Sequence, residues 1–180
     1  MDHPRAFDLA VPVSRADHLL GAEHAGVTVV EYGDFECPNC KQAARAVKRL
    51  LQRFAGRIRV VYRHFPLEEV HPHALMAALA AEAAAGQGKF WPMHDLLFDH
   101  QSHLKTPQLR GYAQQLELDM LRYDAEMSDT IDLQRVREDI EGGALSGVRA
   151  TPTFFINGKL QDVSYGLQAL VNGVEAALRQ

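Results

Sequence analysis

The sequence predicts an α/β fold in which a long helical stretch separates two strand-containing parts. Three observations predict it. The β-branched run VTVVEY is followed by an amphipathic helical pattern and a second run, IRVVYRHF. About 80 residues then pass before the next strand, far more than an ordinary loop needs. Strand signals return at TPTFFINGKLQ, and a helical pattern closes the chain.

Each element has a local reason. Val27 to Tyr32 reads as a buried strand, broken by Gly33 and Asp34. From Pro38 onward, apolar residues recur at Ala43, Val47, Leu50, Leu51 and Phe54, the spacing of one helix face. Pro38 suits a first helical turn, where its missing N–H has no intrahelical partner to lose, and Gly56 suits the stop. Ile58 to Phe65 is the second strand, and a strand–helix–strand unit of this kind makes its strands parallel. HPHALMAALAAEAAAGQGKF is alanine-rich and helical. WPMHDLLFDHQSH and TPQLRGYAQQLEL read as two shorter helices, each with proline near its start. DTIDLQRVREDIEGGALSGV is an amphipathic helix that begins near Asp129. The stretch from about Pro66 to Gly147 is therefore a helical insertion (66–147) in a single domain that spans 1–180. Thr153 to Ile156 is aromatic and β-branched, and Asn157–Gly158 suits a two-residue hairpin turn because both residues tolerate positive φ. A last strand starts at Lys159, and GLQALVNGVEAALRQ is the closing helix.

The composition is that of a globular protein with enough apolar material for a sizeable core, at 47% hydrophobic and 23% charged. With 19 basic and 23 acidic residues the net charge is -4, so there is no basic footprint for nucleic acid. No apolar run approaches the roughly 20 residues that span a bilayer, so no membrane insertion is expected. The N-terminus, MDHPRAFDLAVPVSRADHLLGAEHAG, lacks a basic head followed by an apolar run. The chain as given is therefore expected to be cytoplasmic, or extracytoplasmic if a leader has been removed.

The chain has two cysteines, Cys37 and Cys40, in DFECPNC. They can bind a metal, form a staple or exchange electrons with other disulfides. A staple here closes a tiny loop and removes little entropy from the unfolded chain. A Cys₂His₂ site would need two of the nine histidines, but His71 and His73, or His100 and His103, match no strong zinc spacing. Proline directly after the first cysteine also argues against a finger, so no metal site is expected. For exchange, a spacing of three puts both sulfurs on one side of a starting helix. Cys37 sits at the helix N-terminus, where unpaired N–H groups and the macrodipole favour a thiolate. It is the candidate nucleophile. Cys40, one turn deeper, is the candidate resolving thiol.

This element order, with C-x-x-C just after the first strand, resembles the thioredoxin fold. DFECPNC resembles the D-F-x-C-P-x-C signature of the DsbA-like branch of that superfamily, and TPTFFINGK resembles the segment that holds the fold's cis-proline. The helical insertion is also typical of the branch, and the likeness runs from about Val11 to the C-terminus. The resemblance implies a βαβ plus ββα arrangement around a mixed sheet, with an inserted helical subdomain. It implies a thiol–disulfide oxidoreductase acting on protein or peptide thiols and disulfides and served by a redox recycling partner. No external cofactor is implied, because the redox-active Cys37–Cys40 disulfide itself carries two electrons. Pro152 would be cis and lie against the cysteines, with Thr151 offering its backbone to an extended substrate. Glu31 would be a buried acid beneath the cysteines that assists proton transfer; a solvent-facing charge near a strand end is the alternative for that residue.

Pro38 and Asn39, between the cysteines, tune the couple. The best-known DsbA proteins have histidine where this chain has Asn39, which donates hydrogen bonds without charge, so a less oxidising couple is expected. Glu36 reads as exposed. Phe90 and Trp91 either line the groove beside Cys37 or pack in the core. Two other functions fit the same residues. One is a cytoplasmic disulfide reductase or glutathione-linked detoxification enzyme. The other is a non-enzymatic metal-binding or chaperone module.

Overall fold

The computed structural model describes residues 8–180. MDHPRAF, the first part of the N-terminal stretch read above, lies outside the described residues. The strands are β1 (His18–Gly21), β2 (Val27–Gly33), β3 (Ile58–His64), β4 (Thr153–Ile156) and β5 (Lys159–Gln161). The helices are α1 (Pro38–Arg53), α2 (Ala74–Ala85), α3 (Phe90–Asp99), α4 (Thr106–Gln115), α5 (Met120–Ser128), α6 (Thr130–Leu145) and α7 (Gln168–Ala177). The strands form one mixed sheet in the order β1-β3-β2-β4-β5. β2 and β3 are parallel, as their helical crossover requires, and the other pairs are antiparallel.

The two-residue period of the strands sorts their side chains onto two faces. Val27, Val29, Val60 and Phe154 pack with Ala43, Val47 and Leu50 of α1 and with Leu170 and Val174 of α7. Val30, Tyr32, Val61 and Phe155 pack on the opposite face with Phe65, Val148 and Ile140 of α6. Gly143 lets α6 approach this closely, because a Cβ there would meet the Phe65 ring at 2.8 Å and Tyr32 at 3.0 Å. At the hairpin, Asn157 and Gly158 both adopt positive φ, 48° and 80°, as the two-residue turn demands.

Two elements exceed what the sequence patterns indicate. β1 is only four residues, HLLG, and carries no β-branched run; it exists because it pairs with β3, with Leu19 opposite Val61. α5 is a nine-residue helix started by Asp119, whose side chain accepts from the Arg122 N–H. Asp129 ends α5 and caps α6, accepting from the Thr130 and Ile131 N–H groups.

Helices α2 to α6 occupy the interval between β3 and β4. α2 is apolar nearly all round and buried on most sides, which suits a helix wrapped by others. Polar ties fasten this layer and the segment before β1 to the sheet. Arg63 of β3 makes a two-pronged ion pair with Asp17 at 2.8 and 3.0 Å, both side chains being buried. Asp139 of α6 accepts from the His64 N–H at 2.9 Å. Phe90 stacks on His18, and the Trp91 indole donates to the Leu19 carbonyl at 3.0 Å. Both aromatics thus anchor the helical layer to β1, which places them in packing roles. Neither is among the residues lining the groove beside the cis-proline.

Candidate active site

The site is built where β2 runs into α1. β2 ends at Gly33, where a Cβ would lie 2.6 Å from the Tyr62 ring. Asp34 then folds the loop: its carboxylate accepts from the Glu36 N–H at 2.7 Å, the Leu67 N–H at 2.9 Å and the His71 ring at 2.7 Å. Its carbonyl accepts from the Cys37 N–H. Glu36 is half-buried rather than exposed, because its carboxylate accepts from the His73 N–H at 2.7 Å and its ring at 2.8 Å. Two acid–histidine pairs therefore tie the loop before the cysteines to the segment after β3. This is the packing role of His71 and His73 that metal spacing alone did not indicate.

Cys37 is the N-cap of α1, with Pro38 in its first turn. Both cysteines are free thiols and both are buried, Cys40 completely; Pro38 and Asn39 between them are exposed. Pro38 has no N–H to give, so the first backbone donors facing the Cys37 sulfur are those of Asn39 and Cys40. The Cys37 thiol is pulled down to about 5, first by the hydrogen bond from Cys40, with help from Thr151 and from those two N–H groups, while burial opposes them. Cys40 moves the opposite way. Burial pushes its thiol far above the ordinary range, and its hydrogen bond to Cys37 and the charge of Glu31 add to the rise. One sulfur is thus disposed to carry charge and the other to carry a proton.

Glu31 lies in β2, opposite Tyr62 of β3 and Phe154 of β4. It is buried, at 2% exposure, and its Oε1 has no hydrogen-bond partner. Burial lifts its carboxyl to about 8, and the neighbouring Cys37 charge adds to the lift. The Thr151–Pro152 peptide bond is cis. The Thr151 carbonyl lies 3.4 Å from the Cys37 sulfur, within reach of its S–H. The Thr151 hydroxyl is buried with no hydrogen-bond partner, which leaves it free to turn toward the thiolate. Pro152 and Thr151 also edge a groove of about 750 Å³, shared with Asn39, Leu160, Val163 and Leu167. Glu31, Cys37, Cys40 and Thr151 are thus gathered from three places in the chain.

Gln101 belongs to the same site and was not among the candidates; it follows α3, and its side chain reaches the loop at Phe35 and Cys37. Nothing in its local sequence marks it, since a lone glutamine after a helix is ordinary. Among the described residues, one group has three potential metal-ligating atoms close together: His18, His64 and Glu82. It does not include the cysteines. Its geometry is that of hydrogen bonds, with both Nε2 atoms on one Glu82 oxygen at 2.5 and 2.7 Å. Burial raises the Glu82 carboxyl, but the two histidines outweigh it and hold the group well below the usual range.

Comparison with known proteins agrees with this frame. A thioredoxin family model matches residues 14–176. A curated relative, the Na(+)/H(+) antiporter NhaA 1 of Salinispora arenicola, is 52% identical over 172 residues, which are 95% of this chain and 26% of that protein. The chain thus spans about a quarter of the length of that relative. Oxidised BdbD of Bacillus subtilis superposes with a TM-score of 0.85 at 22% identity, covering 97% of this chain and 100% of that one. A thioredoxin-like oxidoreductase of Silicibacter pomeroyi superposes with a TM-score of 0.82 at 25% identity, covering 93% and 95%. The chain belongs to the thioredoxin family and has the helix-inserted, DsbA-like form of its fold.

Proposed function

We propose that this protein is a thiol–disulfide oxidoreductase that donates disulfides to protein or peptide thiols through Cys37 and Cys40. The observation that carries the reading is the placement of the pair, Cys37 at the N-cap of α1 and 3.4 Å from the Thr151 carbonyl of the cis Thr151–Pro152 bond, Cys40 fully buried behind it; burial drives the Cys40 thiol far up, while Cys37 is held at about 5. In the oxidised protein, a substrate thiolate attacks the Cys37 sulfur. The Cys37–Cys40 bond breaks, its electron pair goes to Cys40, and a mixed disulfide forms at Cys37. Cys40 is too basic to remain a thiolate in its buried position, so it takes the proton of Glu31, whose carboxyl burial pushes up. A second substrate thiolate then attacks the substrate sulfur of the mixed disulfide. Cys37 leaves as a thiolate, the better leaving group, and the protein is left reduced by two electrons. Thr151 and Pro152 hold the extended substrate along the groove, and a separate partner reoxidises the pair.

The direction of flow follows from which form is stabilised. A stabilised Cys37 thiolate stabilises the reduced protein and so makes its disulfide a stronger oxidant. A disulfide donor suits an oxidising compartment. That is the setting we propose, and the expected cytoplasmic setting finds no support in the comparisons. Among the described residues no helix is long and apolar enough to cross a membrane.

The test is stoichiometric transfer. Oxidised protein is mixed with a reduced peptide carrying two cysteines, and the products are quenched in acid and mapped. Wild type is expected to deliver one disulfide per chain, and reduced Cys40→Ser, mixed in turn with the peptide in its disulfide form, to stop at a peptide adduct on Cys37. Transfer that survives Cys37→Ser would remove this reading.

A further inference from the structure

Gln101 lies just beyond α3, in the helical layer, yet its side chain reaches the catalytic loop. Its single amide nitrogen donates to two carbonyls of that loop, Phe35 at 2.9 Å and Cys37 at 2.8 Å. A side-chain amide nitrogen has two N–H bonds, so each carbonyl takes one. These bonds cross 66 and 64 residues of sequence. The Cys37 carbonyl also accepts from the N–H groups of Cys40 at 3.1 Å and Lys41 at 3.2 Å, so the Gln101 bond is the shortest of the three. Phe35 is itself buried against Phe98 and His94 of α3. The loop is therefore pinned from one side by its ring and along its backbone by Gln101.

We propose that Gln101 is a positioning residue of the thiol pair: its amide fixes the carbonyls on either side of Glu36 and so aims the N–H groups of Asn39 and Cys40 at the Cys37 sulfur. Two physical effects act in the same direction. The positive ends of the two N–H dipoles offset carbonyl charge that would otherwise face a thiolate at close range. The fixed carbonyls also hold the first turn of α1 in the geometry in which the Asn39 and Cys40 N–H groups face the sulfur. The helical layer, through one side chain, then sets how readily Cys37 ionises. This deepens the proposed function, because a less available thiolate would make a weaker disulfide donor.

The test is a pH titration of reduced Cys37, read by thiolate absorbance and by alkylation rate, in the full chain. Gln101→Met keeps the bulk and removes both donors; Gln101→Glu replaces them with acceptors facing two carbonyls. The midpoint is expected to rise by about one pH unit in the first and by more in the second, with a matching loss in the oxidising power of the disulfide. Tyr112→Phe is the control for mere loosening of the same layer, since it removes the Tyr112 bond to the His103 carbonyl at 2.6 Å without touching the loop. It is expected to lower thermal stability and leave the midpoint in place. An unmoved midpoint in both Gln101 variants, or an equal rise in Tyr112→Phe, would overturn the proposal. The titration reads Cys37 itself, so it judges Gln101 even if wild type proves unable to pass disulfides to peptides, a result that would sink the proposed function alone.

Discussion

The Cys37 sulfur lies 3.4 Å from the carbonyl oxygen of Thr151, a residue 114 positions later in the chain. The two meet because β2 and β4 are neighbours in the sheet, with Tyr32 opposite Thr153, so the start of α1 and the approach to β4 emerge at the same end. The thiol has the carbonyl as an acceptor. The Thr151 hydroxyl, buried and without a hydrogen-bond partner, is the nearby group that could turn to donate to the thiolate.

Thr151→Val keeps the shape at this position and removes the hydroxyl. The thiolate then loses one charge-assisted hydrogen bond, so the Cys37 midpoint is expected to climb from about 5 by roughly one unit. Absorbance titration of the reduced protein checks this. A midpoint that stays put would mean that the hydroxyl does not face the sulfur in solution.

Glu31 makes stability depend on pH. Burial holds its carboxyl at about 8 in the folded protein against an ordinary value of 4.5. The unfolded chain therefore releases this proton first, and stability falls as pH rises from 4.5 through about 8. At neutral pH the cost is about 3 kcal/mol. Glu31→Gln is expected to recover part of it, and the gain should vanish in acid. Urea unfolding at a series of pH values measures the difference; a gain independent of pH contradicts the burial of an ionisable group here. The same variant is expected to slow disulfide transfer, because Cys40 loses its proton source. In the oxidised protein the Cys37 charge is absent, so the shift of Glu31 itself should be smaller.

The Arg63–Asp17 pair is buried and two-pronged, and Arg63 draws Asp17 below the usual carboxylate range against the opposing effect of burial. Asp17→Asn leaves a guanidinium buried with weakened partners. It is expected to cost about 3 kcal/mol in urea unfolding, with an unchanged denaturant slope. A cost below about 1 kcal/mol would place this pair with ordinary surface ion pairs.

Two glycine-to-alanine changes should move stability in opposite directions. Gly143→Ala drives a methyl into Phe65 and Tyr32 and is expected to destabilise by about 1–2 kcal/mol, after the gain in helix propensity is counted. Gly111→Ala, in α4, meets nothing within 4 Å and is expected to stabilise by up to about 1 kcal/mol. Thermal unfolding of both separates close packing from helix propensity.

Local chemistry explains why most elements were legible in the sequence. Strands β2, β3 and β4 carry β-branched or aromatic runs, α1 has a proline start and a regular apolar face, and Asn157–Gly158 suits a tight turn. β1 was not legible because its four residues have no strand signature apart from their partner, and α5 was hidden by a stretch that carries a cap but little periodicity. The cysteine pair was visible as a motif. The burial of Glu31, left open between two readings, depends on its neighbours Tyr62 and Phe154 and not on any local pattern. Gln101 and the Glu36–His73 tie were invisible for the same reason: each is a contact between segments distant in sequence.

The most direct test of the account is the reduction potential of the Cys37–Cys40 couple, measured by equilibration against glutathione buffers. A thiolate stabilised by Cys40, Thr151 and two backbone N–H groups, but lacking a charged residue at Asn39, should give a value between those of thioredoxin and DsbA, roughly -270 and -120 mV. A value at or below that of thioredoxin would contradict the account, because the reduced form would then have no special stabilisation and the pair would take electrons from no substrate it is proposed to oxidise.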